Sequence, residues 1–326
     1  MRIFAVVLTK NSYIMATNIF EKALQAGHGC NKNGHFKYFL DNVYQGVMPS
    51  HFIQMFLNGS GKELKNHATA IHSSSMLAYN HFHWISQSHP LFYNGAKYTE
   101  VYFELRLWTL KTSKQAPANM DVVLVGKKNR KTCILFIESK FTEFLSRREF
   151  KLSESYLDSN NCFESEQAKE LCKCLKDNYD QILADCSVGY GEGVKQGITH
   201  LYGLMSLYNN EAFDYFKNQL PYNSLAQKLN GISDAETNFI NLLFEPKSDF
   251  RDDYKSYCNY KELYDNLIGK LAPQKYEMVS YSDLWEGKKD KKSDNPGLKT
   301  QINGFDTCLK DFLWQRYMRF AEGTTE

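Results

Sequence analysis

Hydrophobic positions along the chain change period about a third of the way in. Up to residue 86 they recur at three- and four-residue spacings, which predicts helices over Asn18 to Gln25, His35 to Tyr44 and Ser73 to Ser86. The last of these follows a polar, glycine-bearing segment, Asn58 to Lys65. From Tyr98 to Trp108 the period falls to two. Val101, Phe103, Leu105 and Leu107 alternate with Tyr102, Glu104, Arg106 and Trp108, which predicts a strand with Glu104 on the face away from Phe103. A polar loop, Lys111 to Ala118, precedes the short β-branched run Met120 to Val125. The segment Gly126 to Lys131 then reads as a turn and Thr132 to Ile137 as the returning strand of a hairpin. Helical spacing returns over Glu166 to Leu183 and over Gly193 to Tyr208, where Val194, Ile198, Leu201, Leu204, Met205 and Tyr208 share a face. A strand over Asn238 to Phe244, a helix over Tyr254 to Leu271, a strand over Tyr276 to Tyr281 and a closing helix over Thr307 to Ala321 complete the pattern.

Composition narrows the class. With 326 residues the chain is long enough for one large domain or two modest ones, and 43% hydrophobic residues supply a real core. Seven prolines, 19 glycines and no Ser- or Gln-rich tract exclude a long flexible arm. Lys and Arg number 39 against 37 Asp and Glu, so bulk charge does not drive binding to nucleic acid or to an anionic membrane; such binding needs a local patch. The apolar run Ile3 to Leu8 is too short for a signal-peptide core, and no stretch of about 18 apolar residues exists to span a bilayer. Eight cysteines scattered over the length are no disulfide framework, and Cys172 and Cys174 have no matching pair at zinc spacing. A reducing, cytoplasmic setting is expected, without a membrane.

Chemistry concentrates in the hairpin. With the turn centred between Lys128 and Asn129, Asp121 is expected opposite Phe136, so Asp121, Glu138 and Lys140 lie on one face. Asp121 and Glu138 are then diagonal neighbours within about 7 to 8 Å. Two carboxylates and a lysine on the rim of an apolar hairpin need a neutralising partner. A divalent ion such as Mg²⁺ takes oxygen ligands and keeps waters, one of which can become a nucleophile toward a phosphate. From spacing alone, an ordinary salt bridge at a strand end is the commoner outcome.

The pattern Asn119-Met120-Asp121, sixteen intervening residues, then Ile137-Glu138-Ser139-Lys140 behind the apolar strand CILFI resembles the PD-(D/E)xK nuclease superfamily, although the nominal proline is replaced by Met120. The continuation Lys140-Phe141-Thr142-Glu143 is similar to a bacterial restriction-endonuclease-like branch. So are Gly59-Ser60-Gly61-Lys62-Glu63-Leu64, Ile71-His72-Ser73-Ser74 with Leu77-Ala78-Tyr79-Asn80, and Val101-Tyr102-Phe103-Glu104. The resemblance covers roughly residues 55 to 210. It implies an α/β (α+β) restriction-endonuclease-like fold: an α-β-β-β-α-β core with a mixed central sheet flanked by helices and additional helical segments. The expected division is an N-terminal helical flank over 1–54, the nuclease-like core over 55–250 with a helical insertion over 146–187, and a C-terminal α/β extension over 251–326 packed on the core.

The resemblance also implies a Mg²⁺-dependent endonuclease, with Mn²⁺ as the other candidate ion, that hydrolyses DNA phosphodiester bonds. Asp121, Glu138 and Glu104 are its expected metal ligands and Lys140 its catalytic lysine, with Glu104 or Glu63 supplying the additional acid. Gln196 opens the following helix where several branches have a glutamine, and its amide can hold the lysine or a phosphate. Those branches have a tyrosine four positions later, where this chain has His200; for both residues a plain helix-surface role stays open. Basic residues Lys127, Lys128, Arg130 and Lys131 in the turn, and Arg147 and Arg148 beyond the motif, are candidates for phosphate contact. The cluster Lys288, Lys289, Lys291 and Lys292 reads as a solvated loop. DNA is the expected partner, with a homodimer as the candidate assembly. Two other readings remain: a nuclease-fold module that binds DNA or protein without chemistry, and a cysteine hydrolase using Cys133 or Cys186.

Overall fold

The structure is a computed structural model and describes residues 19–59, 63–111, 117–163, 165–187, 189–207, 235–271, 276–287, 289–290 and 293–326. Asn18, residues 60–62 of the glycine-bearing segment, most of the loop 111–118, Tyr208, Lys288, Lys291 and Lys292 lie outside these residues, as does the side chain of Lys289.

Three antiparallel strands form the middle of the molecule: β2 (Ala96–Leu107), β3 (Ala118–Lys128) and β4 (Lys131–Lys140). A short edge strand, β1 (Leu91–Tyr93), precedes them, while β5 (Glu236–Leu243) and β6 (Tyr276–Ser280) extend the sheet in parallel from β4, giving the order β1-β2-β3-β4-β5-β6. Helices cover both faces, which is why Cys133 to Lys140 is buried without a break rather than in alternation. On one face lie α2 (Ser50–Asn58) and α3 (Ser74–Phe82), the latter capped by the Ser73 hydroxyl accepting from Met76 N. The other face carries α6 (Gly191–Leu207), which also packs on α7 (Arg251–Leu271). The order helix, three strands, helix, strand is the one that the resemblance implies, and one core cluster runs from Phe20 to Ala321. Helix α2 runs across residue 54, and the C-terminal segment adds β6 to the same sheet.

Four expectations change, besides the closing helix, which stops at Arg316 and is followed by a single 3-10 turn, Met318–Phe320. The segment His35 to Tyr44 holds only single 3-10 turns, Phe39–Asn42 and Tyr44–Gly46. The stretch Glu166 to Leu183 divides at Asn178 into α4 (Glu166–Asp177) and α5 (Tyr179–Asp185). The hairpin turn is two residues, Asn129 and Arg130, both at positive φ (48° and 70°), the backbone that matches the twist of paired strands; most of GKKNRK is therefore strand. Val122 consequently pairs with Ile137 rather than Leu135, and Asp121, one step before it, comes opposite Glu138 rather than Phe136. The slip is by an even number of residues, so the face carrying Asp121, Glu138 and Lys140 is unchanged.

The fourth change is at Glu104. Phe103 stacks on Phe56 of α2, and the Glu104 Cβ lies 2.7 Å from where a Cβ on Gly59, at the end of α2, would stand. Neighbouring side chains of a regular strand face opposite ways. Glu104 has φ 54°, a left-handed backbone that turns its side chain toward α2 and costs on the order of 1–3 kcal/mol.

Candidate active site

Three adjacent strands bring their acids into one row. The register pairs Phe103 with Val122 and Leu105 with Met120, which sets Glu104 opposite Asp121, and Asp121 is in turn opposite Glu138. The row opens into a cavity of about 1060 Å³ lined by Glu63, Glu104, Asp121, Glu138, Lys140, Gln196 and His200. Glu63 reaches it from the turn Glu63–His67 before α3 and accepts from Ser75 Oγ at 3.1 Å. Asp121 Oδ2 accepts from Ser139 N at 2.7 Å. Lys140 Nζ donates to Glu138 Oε1 and, at 2.9 Å, to Gln196 Oε1 of α6.

Burial, then the charges of Asp121, Glu63 and Glu138, push the Glu104 carboxyl well above the usual carboxylate range. Burial and then Glu138 do the same to Asp121, offset in part by Lys140 and the Ser139 N–H. For Lys140 burial works against the ammonium, but Glu138, Glu143 and Asp121 outweigh it and hold the group charged well above the ordinary lysine value. Carboxylates thus outnumber the Lys140 ammonium, with Glu63, Glu104, Asp121, Glu138 and Glu143 all lining the cavity beside it. Like charges held this close raise the proton affinity of Glu104 and Asp121 until a cation joins them.

The donor set suits a hard divalent cation such as Mg²⁺ or Mn²⁺: the carboxylates offer oxygen, and Glu138 Oε2 is buried with no hydrogen-bond partner. Among the described residues no three His, Cys, Asp or Glu side chains already surround one point as ligands. The Lys140 ammonium holds the counter-charge position on Glu138 instead.

All six candidate catalytic positions, Asp121, Glu138, Lys140, Glu104, Glu63 and Gln196, line this cavity. His200, for which the pattern leaves a helix-surface role open, joins them. It is 3% exposed, its Nε2 lies 2.9 Å from Asn119 O, and its Nδ1 is 3.4 Å from Glu138 Oε2. The signal for it was the four-residue spacing from Gln196, which puts both on one helix face. Of the basic candidates, Arg148 reaches the cavity, together with Lys151 and Lys195. Arg147 stacks on the Tyr190 ring at 5.7 Å. Lys127, Lys128, Arg130 and Lys131 sit at the far end of the hairpin, roughly 23 Å from Asp121 at about 3.3 Å per strand residue. Cys133 and Cys186 are buried, and burial pushes both thiols up, Cys186 to about 11, which opposes formation of a nucleophilic thiolate.

No helix among the described residues is long and apolar enough to cross a membrane. A family model described as restriction endonuclease associating with ARP matches residues 20–317. No curated protein and no solved structure matches the chain.

Proposed function

We propose, from the premise that this chain belongs to the family of restriction endonucleases associating with ARP, that it is a metal-dependent endonuclease hydrolysing DNA phosphodiester bonds. The observation that carries the reading is the meeting of Asp121, Glu138 and Lys140 on one sheet face inside an acid-lined cavity, with Gln196 holding the lysine. Neighbouring strands deliver the acids and α6 delivers the amide, so the group stands on rigid elements. By the same membership, action alongside ARP is part of the proposal.

Asp121 and Glu138 offer carboxylate oxygens to Mg²⁺ or Mn²⁺, with Glu104 and Glu63 as the acids beside them. When bound, the ion supplies an activated water and offsets charge building on the scissile phosphate. Lys140, held charged by its acidic neighbours, acts as a donor to a phosphate oxygen or to water rather than as a base. Gln196 fixes the direction of that ammonium. Arg148 and Lys151, at the mouth, supply phosphate contacts that draw the backbone in.

The deciding experiment is cleavage of plasmid and linear DNA with Mg²⁺ or Mn²⁺ by the wild-type chain, Asp121→Ala and Lys140→Ala. Cleavage by wild type and its loss in both variants is expected; equal activity in all three overturns the reading. Calorimetry that finds DNA affinity with no metal binding favours a non-catalytic nuclease-fold module instead.

A further inference from the structure

His200 is a buried imidazole whose two nitrogens are in different positions. Nε2 is 2.9 Å from the carbonyl oxygen of Asn119, which can only accept, so Nε2 carries the hydrogen and the neutral ring presents its lone pair at Nδ1. Nδ1 is buried and makes no hydrogen bond, and the atom facing it at 3.4 Å, Glu138 Oε2, makes none either. Two buried acceptors pointed at each other call for a cation between them. A proton or a metal can serve.

Two features favour the metal. A metal-bound histidine typically donates its other ring N–H to a backbone carbonyl or carboxylate, fixing tautomer and ring orientation, which is what Asn119 O does here. The 3.4 Å separation is also the right one: donors at about 2.0–2.2 Å on neighbouring positions of one ion stand ~3.0–3.5 Å apart. Gln196, one helical turn earlier, holds Lys140 on Glu138 Oε1, leaving Oε2 to face His200.

We propose that His200 Nδ1 is a nitrogen ligand of the divalent ion bound at Asp121 and Glu138, so that the site prefers Mn²⁺ over Mg²⁺. This rests on the metal-dependent reading above. A nitrogen donor adds little for Mg²⁺, which takes oxygen, and more for first-row transition ions, which accept imidazole.

The test is electron spin echo spectroscopy of Mn²⁺ bound to the full chain without DNA, in unlabelled protein, in protein with ¹⁵N-histidine, and in His200→Gln. The glutamine amide keeps a donor for Asn119 O and removes the Nδ1 lone pair. Nitrogen modulation that changes on histidine labelling and disappears in His200→Gln is expected, with Kd for Mn²⁺ raised roughly 10-fold or more and the value for Mg²⁺ moved much less. Bound Mn²⁺ whose modulation is absent or insensitive to labelling overturns the His200 ligand and leaves the metal-dependent nuclease standing; the cation between the two atoms is then a proton. An insensitive signal needs no variant to overturn the ligand; because His67 and His72 also line the cavity, His67→Gln and His72→Gln, expected to leave the modulation in place, assign it to His200 where His200→Gln fails to fold. Failure of the wild-type chain to bind Mn²⁺ at all overturns both.

Discussion

Lys140 Nζ donates to Gln196 Oε1 at 2.9 Å, tying β4 to α6 across 56 positions of sequence. The same ammonium is bonded to Glu138, so strand and helix jointly set where its remaining hydrogen points. Lys140→Ala is expected to lower single-turnover cleavage by roughly 10²- to 10⁴-fold, the range for a positioned proton donor or acceptor. Gln196→Leu is expected to cost less, about 10-fold, because the charge stays and only its direction is lost. The double variant is expected to be no worse than Lys140→Ala, since Gln196 acts through the lysine. Additive losses in single-turnover rates would show that Gln196 has a separate role.

The raised pKa values of Asp121 and Glu104 make the site a source of instability without a cation. A carboxyl whose pKa is higher folded than unfolded binds more protons in the folded state, so stability falls as pH rises from the ordinary carboxylate value, about 3.9 for Asp, through the raised one. Asp121→Asn removes that loss. At neutral pH with chelator the variant is expected to unfold at a higher temperature than wild type by about 1–2 °C, equivalent to ~1 kcal/mol in a chain of this size. The gap should close below about pH 4, and saturating Mn²⁺ should raise the wild type alone. Thermal scans across this pH range check the sign; a wild type that outlasts Asp121→Asn in chelator at neutral pH contradicts it.

How much of this was legible in the sequence follows from which signals are local. The strands announced themselves through β-branched runs and period two, and the long helices through their apolar stripe, because each is a property of ten or so neighbouring residues. The same-face relation of Asp121, Glu138 and Lys140 was also legible: strand parity survived a two-residue error in the turn. Glu104 was legible as a candidate but not in its orientation, since nothing in YFEL announces a residue at φ 54°. His200 was hidden for a different reason. Its partner, Glu138, lies 62 positions away, and only the docking of α6 on the sheet brings the two to 3.4 Å. The distance of the basic turn from the acids was hidden by their proximity in sequence, because a hairpin places its turn as far as it can from its open end.

Helix α6 meets α7 at Gly197, where an added Cβ would overlap the Tyr264 hydroxyl and come within 2.9 Å of the Ile268 Cδ1. Gly197 sits beside Gln196 in sequence and one turn from His200, so pushing the two helices apart displaces both site residues. Gly197→Ala is expected to cost about 1–3 kcal/mol, the range for overpacking a tight contact, and to lower cleavage with it. Adding Tyr264→Phe removes the overlapping oxygen and is expected to return much of both. Urea titrations of the two single variants and the double give the coupling directly. A double variant as unstable as the sum of the singles would locate the strain elsewhere.

The two groups of basic residues should separate by the length of the duplex they need. Arg148 and Lys151 lie at the cavity mouth, whereas Arg130 and Lys131 lie at the other end of the hairpin, roughly 23 Å from Asp121 by strand rise. At about 3.4 Å per base pair that distance is roughly 7 base pairs of duplex on one side of the scissile bond. In a Lys140→Ala background, which allows binding to be followed without cleavage, Arg148→Ala with Lys151→Ala is expected to weaken binding to duplexes of any length and to reduce the salt slope by about 0.9 per lost phosphate contact. Arg130→Ala with Lys131→Ala is expected to weaken binding only to duplexes long enough to extend roughly 7 base pairs past the site. An effect on long duplexes alone places the turn along the DNA; no effect at any length makes its four cations a solvated tip of the hairpin.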